Sequence, residues 1–193
     1  MDQAYFNRVE AIQFTIAHDD GIGWEEWEEA DILLAGVSRS SKTPTSIYLA
    51  NRGYKVANIP LVVESPPPPK LFELKHPMIV GLTTAPERLV QIRRNRLLTL
   101  NEERETDYVD GERVKGEVKF ARRMFADNGW AVIDVTRRSV EESAATILKL
   151  LHDREMRGDT HLTLPTIFRV ASLVASRASQ IHITTLTAIV TLD

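Results

Sequence analysis

Cysteine is absent from the 193-residue chain, which excludes disulfides, thiolate catalysis and cysteine-ligated metals. Histidine is scarce: the five residues His18, His76, His152, His161 and His182 show no metal-ligand spacing. No apolar run approaches the roughly 18 residues that a membrane-spanning helix requires. The opening M-D-Q-A-Y-F-N-R-V-E has no apolar signal core. An excess of one charge is also lacking, with 24 Lys and Arg against 27 Asp and Glu for a net −3. That balance argues against a nucleic-acid protein held mainly by charge. There is no internal repeat. The expectation from these absences is a cytoplasmic globular protein without membrane or nucleic-acid partners, long enough to bury one sizeable core.

What is present is organised around residues 32–53, I-L-L-A-G-V-S-R-S-S-K-T-P-T-S-I-Y-L-A-N-R-G. The apolar run Ile32, Leu33, Leu34, Ala35 suits a buried strand and is too short for a core helix. Gly36 turns the chain, and Lys42 and Thr43 open a helix whose first turn accommodates Pro44. Gly53 is placed to end that helix. Strand, glycine turn, Lys-Thr and helix is the layout of a phosphate-binding loop. Backbone N–H groups from Val37, Ser38, Arg39, Ser40, Ser41, Lys42 and Thr43 can wrap an anion, aided by the helix N-terminus. Lys42 can neutralise phosphate oxygens and the Thr43 hydroxyl can ligate Mg²⁺. The pattern G-x-x-x-x-G-K-[ST] is met except at its second glycine, where Ser41 stands and narrows the backbone angles available. Taken alone, the loop also reads as a strand-to-helix turn that happens to carry Lys-Thr.

Residues 7–17 place Val9, Ile12, Phe14 and Ile16 as an amphipathic helix, followed by the turn His18-Asp19-Asp20-Gly21. Residues 24–29 read as a solvated acidic helix with Trp24 and Trp27 on its core side. Further strands are expected at residues 55–63, 78–82 and 131–135. Pro66 to Pro69 make a stiff connector. Thr84-Ala85-Pro86-Glu87 and Ser139-Val140-Glu141-Glu142 read as capping boxes that open helices. The first of these helices runs to about Leu100, with Arg88, Arg93, Arg94 and Arg96 on its exposed side. Residues 101–108 read as a polar loop. Residues 112–128 carry Val114, Val118, Ala121 and Phe125 at helical spacing, stopped by Gly129. Alternating strands and helices imply an α/β fold: a parallel sheet of the P-loop NTPase or kinase kind, helices on both faces, ligands at the strand C-terminal ends. This domain is expected over residues 1–157, and residues 158–193, rich in Thr, Ser and Ala, form a tail of no assigned role.

The segments G-V-S-R-S-S-K-T-P-T-S-I-Y-L-A-N-R-G-Y-K-V-A-N-I-P-L-V, L-F-E-L, G-L-T-T-A-P-E-R-L-V-Q-I-R-R-N-R-L and W-A-V-I-D-V-T-R-R-S-V-E-E-S-A-A-T-I-L together resemble the bacterial pyruvate, phosphate dikinase regulatory proteins. Phosphoenolpyruvate synthase regulatory proteins are the sister branch, and the S-S-K-T-P-T-S wording is closer to the dikinase branch. The resemblance covers residues 5–151. It implies a bifunctional enzyme. In one direction ADP, not ATP, phosphorylates an active-site threonine of pyruvate, phosphate dikinase whose catalytic histidine is already phosphorylated, inactivating it. In the other, inorganic phosphate removes that phosphoryl group as pyrophosphate. The family's further N-terminal domain is expected to be absent from this chain, and a homodimer is compatible with the resemblance.

Phosphoryl transfer needs a phosphate cradle, a metal, cations and a base. The cradle is Gly36 to Thr43, with Lys42 as cation, Thr43 as metal ligand, and Arg39 within reach of a phosphate or simply facing solvent. Asp134 ends an apolar strand, where such folds hold a second magnesium-directing carboxylate; the other reading is a cap for the next turn. Asp19 or Asp20, in the family's H-D-D-G, is expected to be the base, although an Asp-Asp-Gly turn alone is ordinary. His18 reads as structural. Arg137 and Arg138 stand where they could close over the transferred phosphate; the Arg93, Arg94, Arg96 cluster reads as a solvated helix face. Two other functions remain open: a small-molecule kinase or nucleoside triphosphatase, and a non-catalytic module that binds nucleotide or docks on the dikinase.

Overall fold

The strand that precedes the loop, β1 (Ile32–Gly36), is buried at every position, as a run without alternation requires when both faces are covered. It lies between β2 (Val56–Pro60) and β3 (Met78–Thr83), with β4 (Ala131–Asp134) outside β3; all four strands are parallel, in the order β2-β1-β3-β4. The computed structural model describes residues 3–99, 107–156 and 158; the expected tail beyond residue 158 and part of the polar loop lie outside them. Five α-helices accompany the strands among the described residues: α1 (Gln3–Ala17), α2 (Lys42–Ala50), α3 (Pro86–Thr99), α4 (Gly111–Asp127) and α5 (Val140–Met156).

Period-two alternation sends successive strand residues to opposite faces. Leu33, Ala35, Ala57 and Ile59 meet Trp27, Leu89 of α3 and Val114, Val118, Ala121 and Phe125 of α4. Ile32, Leu34, Val56, Val80 and Ile133 meet Leu49 of α2 and Ala144, Ile147 and Leu151 of α5. Gly81 lets α4 approach the sheet, since a Cβ there would lie 2.6 Å from the Phe125 ring. The outer edge of β2 is closed by side-chain and turn acceptors: Val56 N donates to Thr15 Oγ1 (3.1 Å) and Asn58 N to the His18 carbonyl oxygen (3.1 Å). No described helix is long and apolar enough to cross a membrane.

The fold is therefore the expected α/β parallel sheet with helices on both faces, consistent with a P-loop-like nucleotide-binding fold. Four local expectations are corrected. Residues 24–29 form a 3₁₀ helix in which Trp27 is buried while Trp24 stays 42% exposed, so only its second turn reaches the core. The second strand stops at Pro60, its partner β1 having ended at Gly36, and Val62 and Val63 are exposed. The Ser139–Glu142 box forms, with Ser139 N donating to Glu142 Oε2 (2.9 Å) and Glu142 N to Ser139 Oγ (3.2 Å). At Thr84 the hydroxyl instead faces Thr136 Oγ1 (3.4 Å), drawn to the neighbouring strand end. Arg93, expected on a solvated face, is 1% exposed.

Candidate phosphate-binding site

Residues 37–41 join β1 to α2 at the C-terminal edge of the sheet. Gly36 is required by close approach, because a Cβ there would sit 2.6 Å from the Leu82 carbonyl oxygen and 2.7 Å from Ser40 Oγ. Ser41 takes φ 63° and ψ 24°, the left-handed conformation that a glycine would supply at this place, and Arg39 has φ 70°. The Val37 carbonyl oxygen gathers the turn, accepting from Ser40 N (3.3 Å), Ser40 Oγ (2.9 Å) and Lys42 Nζ (3.1 Å). Lys42 is buried with its ammonium folded onto the loop. Burial pulls its pKa from the ordinary 10.5 down to about 8 against the attraction of Asp20 and Asp19, with Arg39 and Arg93 adding to the lowering.

The turn after α1 is brought to this loop. Thr43 Oγ1 donates to Asp19 Oδ1 (3.0 Å), and Asp20 follows with φ 52° and an exposed side chain. On the other flank, Arg93 of α3 donates to the Ser38 carbonyl oxygen (3.3 Å) and the Tyr108 carbonyl oxygen (3.0 Å), and pairs with Glu117 of α4 (2.5 Å). Its guanidinium lies over the Tyr108 ring at 4.5 Å. The Tyr108 hydroxyl in turn accepts from Arg39 Nε (3.2 Å) and lies 3.4 Å from Ser38 Oγ.

The sequence-expected residues thus divide. Gly36 to Thr43, Asp19 and Asp20 come together. Asp134 stands at the end of β4, separated from β1 by β3, where its carboxylate accepts from Thr136 N (2.9 Å) and Thr136 Oγ1. Burial raises its pKa, but the Thr136 hydrogen bonds, with Arg122 and Arg138 nearby, outweigh that and hold it below the usual value. Arg137 and Arg138 are exposed, and Arg138 Nη1 donates to Thr146 Oγ1 (2.9 Å). His18 is buried, stacked on Phe14 at 3.9 Å, with Nδ1 2.7 Å from the Phe14 carbonyl oxygen and Nε2 3.2 Å from Glu26 Oε2. Sequence reasoning missed Arg93, Tyr108 and Asn58. The last had a visible sign: a lone amide in the otherwise apolar run V-A-N-I-P.

A buried lysine on the strand-to-helix turn and a Thr–Asp pair beside it, at the strand ends of a parallel α/β sheet, are consistent with a P-loop-like nucleotide-binding fold. Residues 1–148 match the kinase/pyrophosphorylase family, and the chain belongs to it. A relative from Erythrobacter litoralis is 79% identical over 157 residues, covering 81% of this chain and 56% of its own length. One from Novosphingobium aromaticivorans is 73% identical over 158 residues (82% of this chain, 56% of the relative). One from Caulobacter vibrioides is 60% identical over 147 residues (76% and 47%). All three are provisionally named pyruvate, phosphate dikinase regulatory protein. The chain spans about half the length of these relatives.

Proposed function

We propose that this chain regulates pyruvate, phosphate dikinase by ADP-dependent phosphorylation of an active-site threonine, and reverses that modification with inorganic phosphate. The observation that carries the reading is Lys42, held on the loop beside the Thr43–Asp19 pair. The β-phosphate of ADP would enter the cradle of Gly36 to Thr43, meeting Lys42 and the loop N–H groups. The threonine oxygen attacks the β-phosphorus, the bond to the bridging oxygen breaks, AMP leaves, and the hydroxyl proton passes to the Asp19–Asp20 turn. In reverse, a phosphate oxygen attacks the phosphothreonine phosphorus, pyrophosphate leaves and the threonine oxygen regains a proton.

The donor set fits magnesium. Thr43 and Asp19 offer hard oxygens 3.0 Å apart. Among the described residues no group of three or more His, Cys, Asp or Glu could hold a metal alone. A bound magnesium ion would neutralise phosphate charge. Thr43 and Asp19 would hold it. Lys42 would orient the transferred group, and Arg39 would meet its outer oxygens.

The test mixes ADP labelled at the β-phosphate with histidine-phosphorylated dikinase and this chain. Label on a dikinase threonine, lost with Lys42→Ala, supports the reading. Phosphate release from ATP without a protein target would replace it with a nucleoside triphosphatase. ADP binding with no label would instead select a nucleotide-binding module without transfer activity.

A further inference from the structure

Asn58 lies on β2 opposite Leu34, fully buried. Its four polar groups serve four successive residues of one turn. Its N–H donates to the His18 carbonyl oxygen (3.1 Å), and its carbonyl oxygen accepts from Gly21 N (2.8 Å). Its Oδ1 accepts from Asp20 N (3.2 Å), and its Nδ2 donates to Asp19 Oδ1. Nδ2 also lies 3.4 Å from Ser46 Oγ on α2. A buried amide is costly unless satisfied, and flipping this one would set oxygen against carboxylate and NH₂ against N–H. Its orientation is therefore fixed by its surroundings.

The consequence falls unequally on the two acids. Asp19 Oδ1 takes donors from both Asn58 Nδ2 and Thr43 Oγ1, so this carboxylate is pinned to the loop threonine. Asp20 is exposed, and its carboxylate makes no hydrogen bond among the described residues. We infer that Asn58 is a positioning residue that sorts the two acids. It commits Asp19 to the Thr43 hydroxyl, on the side where a divalent cation joined to a nucleotide phosphate would sit. It leaves Asp20 to take the proton of the incoming hydroxyl. This assignment rests on the phosphate-binding reading above.

Calorimetric titration of the whole chain with ADP, in magnesium and in EDTA, separates the roles. The unmutated chain should bind ADP about tenfold more tightly with magnesium. Asp19→Asn and Asn58→Ala should lose that increment, with binding in EDTA unchanged, since loss of a ligand's supporting partner costs about 10–100-fold in metal affinity. Asp20→Asn, which suits a left-handed backbone, should keep the increment and lose about a hundredfold or more in threonine labelling. An increment kept by Asp19→Asn but lost by Asp20→Asn overturns the sorting. An increment kept by Asn58→Ala overturns the role of Asn58. Should that variant not fold, the isosteric Asn58→Asp sets an acid against Asp19 and must lose the same increment; keeping it has the same force. No ADP bound by the unmutated chain overturns the phosphate reading itself, a pattern distinct from loss confined to single variants.

Discussion

Arg93 of α3 reaches across the edge of the sheet to the loop, its Nη2 donating to the Ser38 carbonyl oxygen at 3.3 Å while the same group pairs with Glu117 at 2.5 Å. Both partners are largely removed from solvent, at 1% and 17% side-chain exposure. Breaking such a pair from one side strands the remaining charge, a loss of about 3–5 kcal/mol in buried examples. Arg93→Met should therefore lower unfolding stability by about 3 kcal/mol. Arg93→Met with Glu117→Leu should recover much of it, because the pair is replaced rather than broken. Denaturant unfolding of the two proteins checks this, and equal losses would remove the pair from the account.

Lys42→Ala is expected to separate binding from folding. The lysine is buried at a desolvation cost and bonds only the Val37 carbonyl oxygen among the described residues. Removing it should leave the melting temperature unchanged or raised. Hydrogen bonds to charged groups contribute about 1.5–3 kcal/mol, so ADP affinity should fall about tenfold or more. Calorimetry beside thermal unfolding makes the comparison.

The strand–loop–helix unit was legible because each residue acts locally: the apolar run 32–35 buries a strand, Gly36 permits close approach, and Lys42 and Thr43 open the helix. The charged residues that complete the surroundings were not legible, because their neighbours are remote in sequence. Arg93 looks like any helix-surface arginine until α4 supplies Glu117, 24 positions on, and the loop supplies Ser38, 55 positions back. Asp134 illustrates the converse. Its strand end was read correctly in position, but strand order, which no local pattern encodes, sets β3 between it and the loop. The Asp19–Asp20 turn was found through motif resemblance; its physical reason, the Asn58 clamp, comes from a strand 39 residues away from Asp19.

Proton linkage at Lys42 gives opposite pH trends for binding and stability. Its pKa is about 8 in the folded chain against the ordinary 10.5, so between these values the unfolded chain holds more protons. This group's contribution to stability therefore rises with pH through that window and is lost as pH falls toward 8. On the phosphate-binding reading, affinity for ADP is expected to run the other way, weakening above about pH 8 as the ammonium loses its proton. Titrations and unfolding curves from pH 7 to 10, each compared with Lys42→Ala, should show both slopes in the unmutated chain and neither in the variant.

Asp134→Asn offers a test of where the ligand edge is active. Since its carboxylate is bonded to Thr136 and β3 stands between its strand and β1, the substitution should change magnesium-dependent ADP affinity by less than about twofold. A tenfold loss, comparable to that expected of Asp19→Asn, would bring the β4 end into the phosphate site.

Ser41 occupies the place where the loop pattern has glycine, and at φ 63° it pays a conformational penalty that glycine would not. For residues with a Cβ the left-handed region costs about 1–2 kcal/mol. Glycine would relieve that strain but also enlarge the freedom of the unfolded chain, which offsets part of the gain. Ser41→Gly should therefore raise unfolding stability by at most about 1 kcal/mol. Ser41→Val should lower it by about 1–2 kcal/mol, since a branched Cβ is a genuine outlier at this angle. On the phosphate-binding reading, ADP affinity should hold in Ser41→Gly, which keeps the left-handed backbone, and fall in Ser41→Val, which disfavours it. Unfolding curves and titrations on the two variants decide it. Stability lost on Ser41→Gly would mean that the serine side chain contributes more than its backbone strain removes.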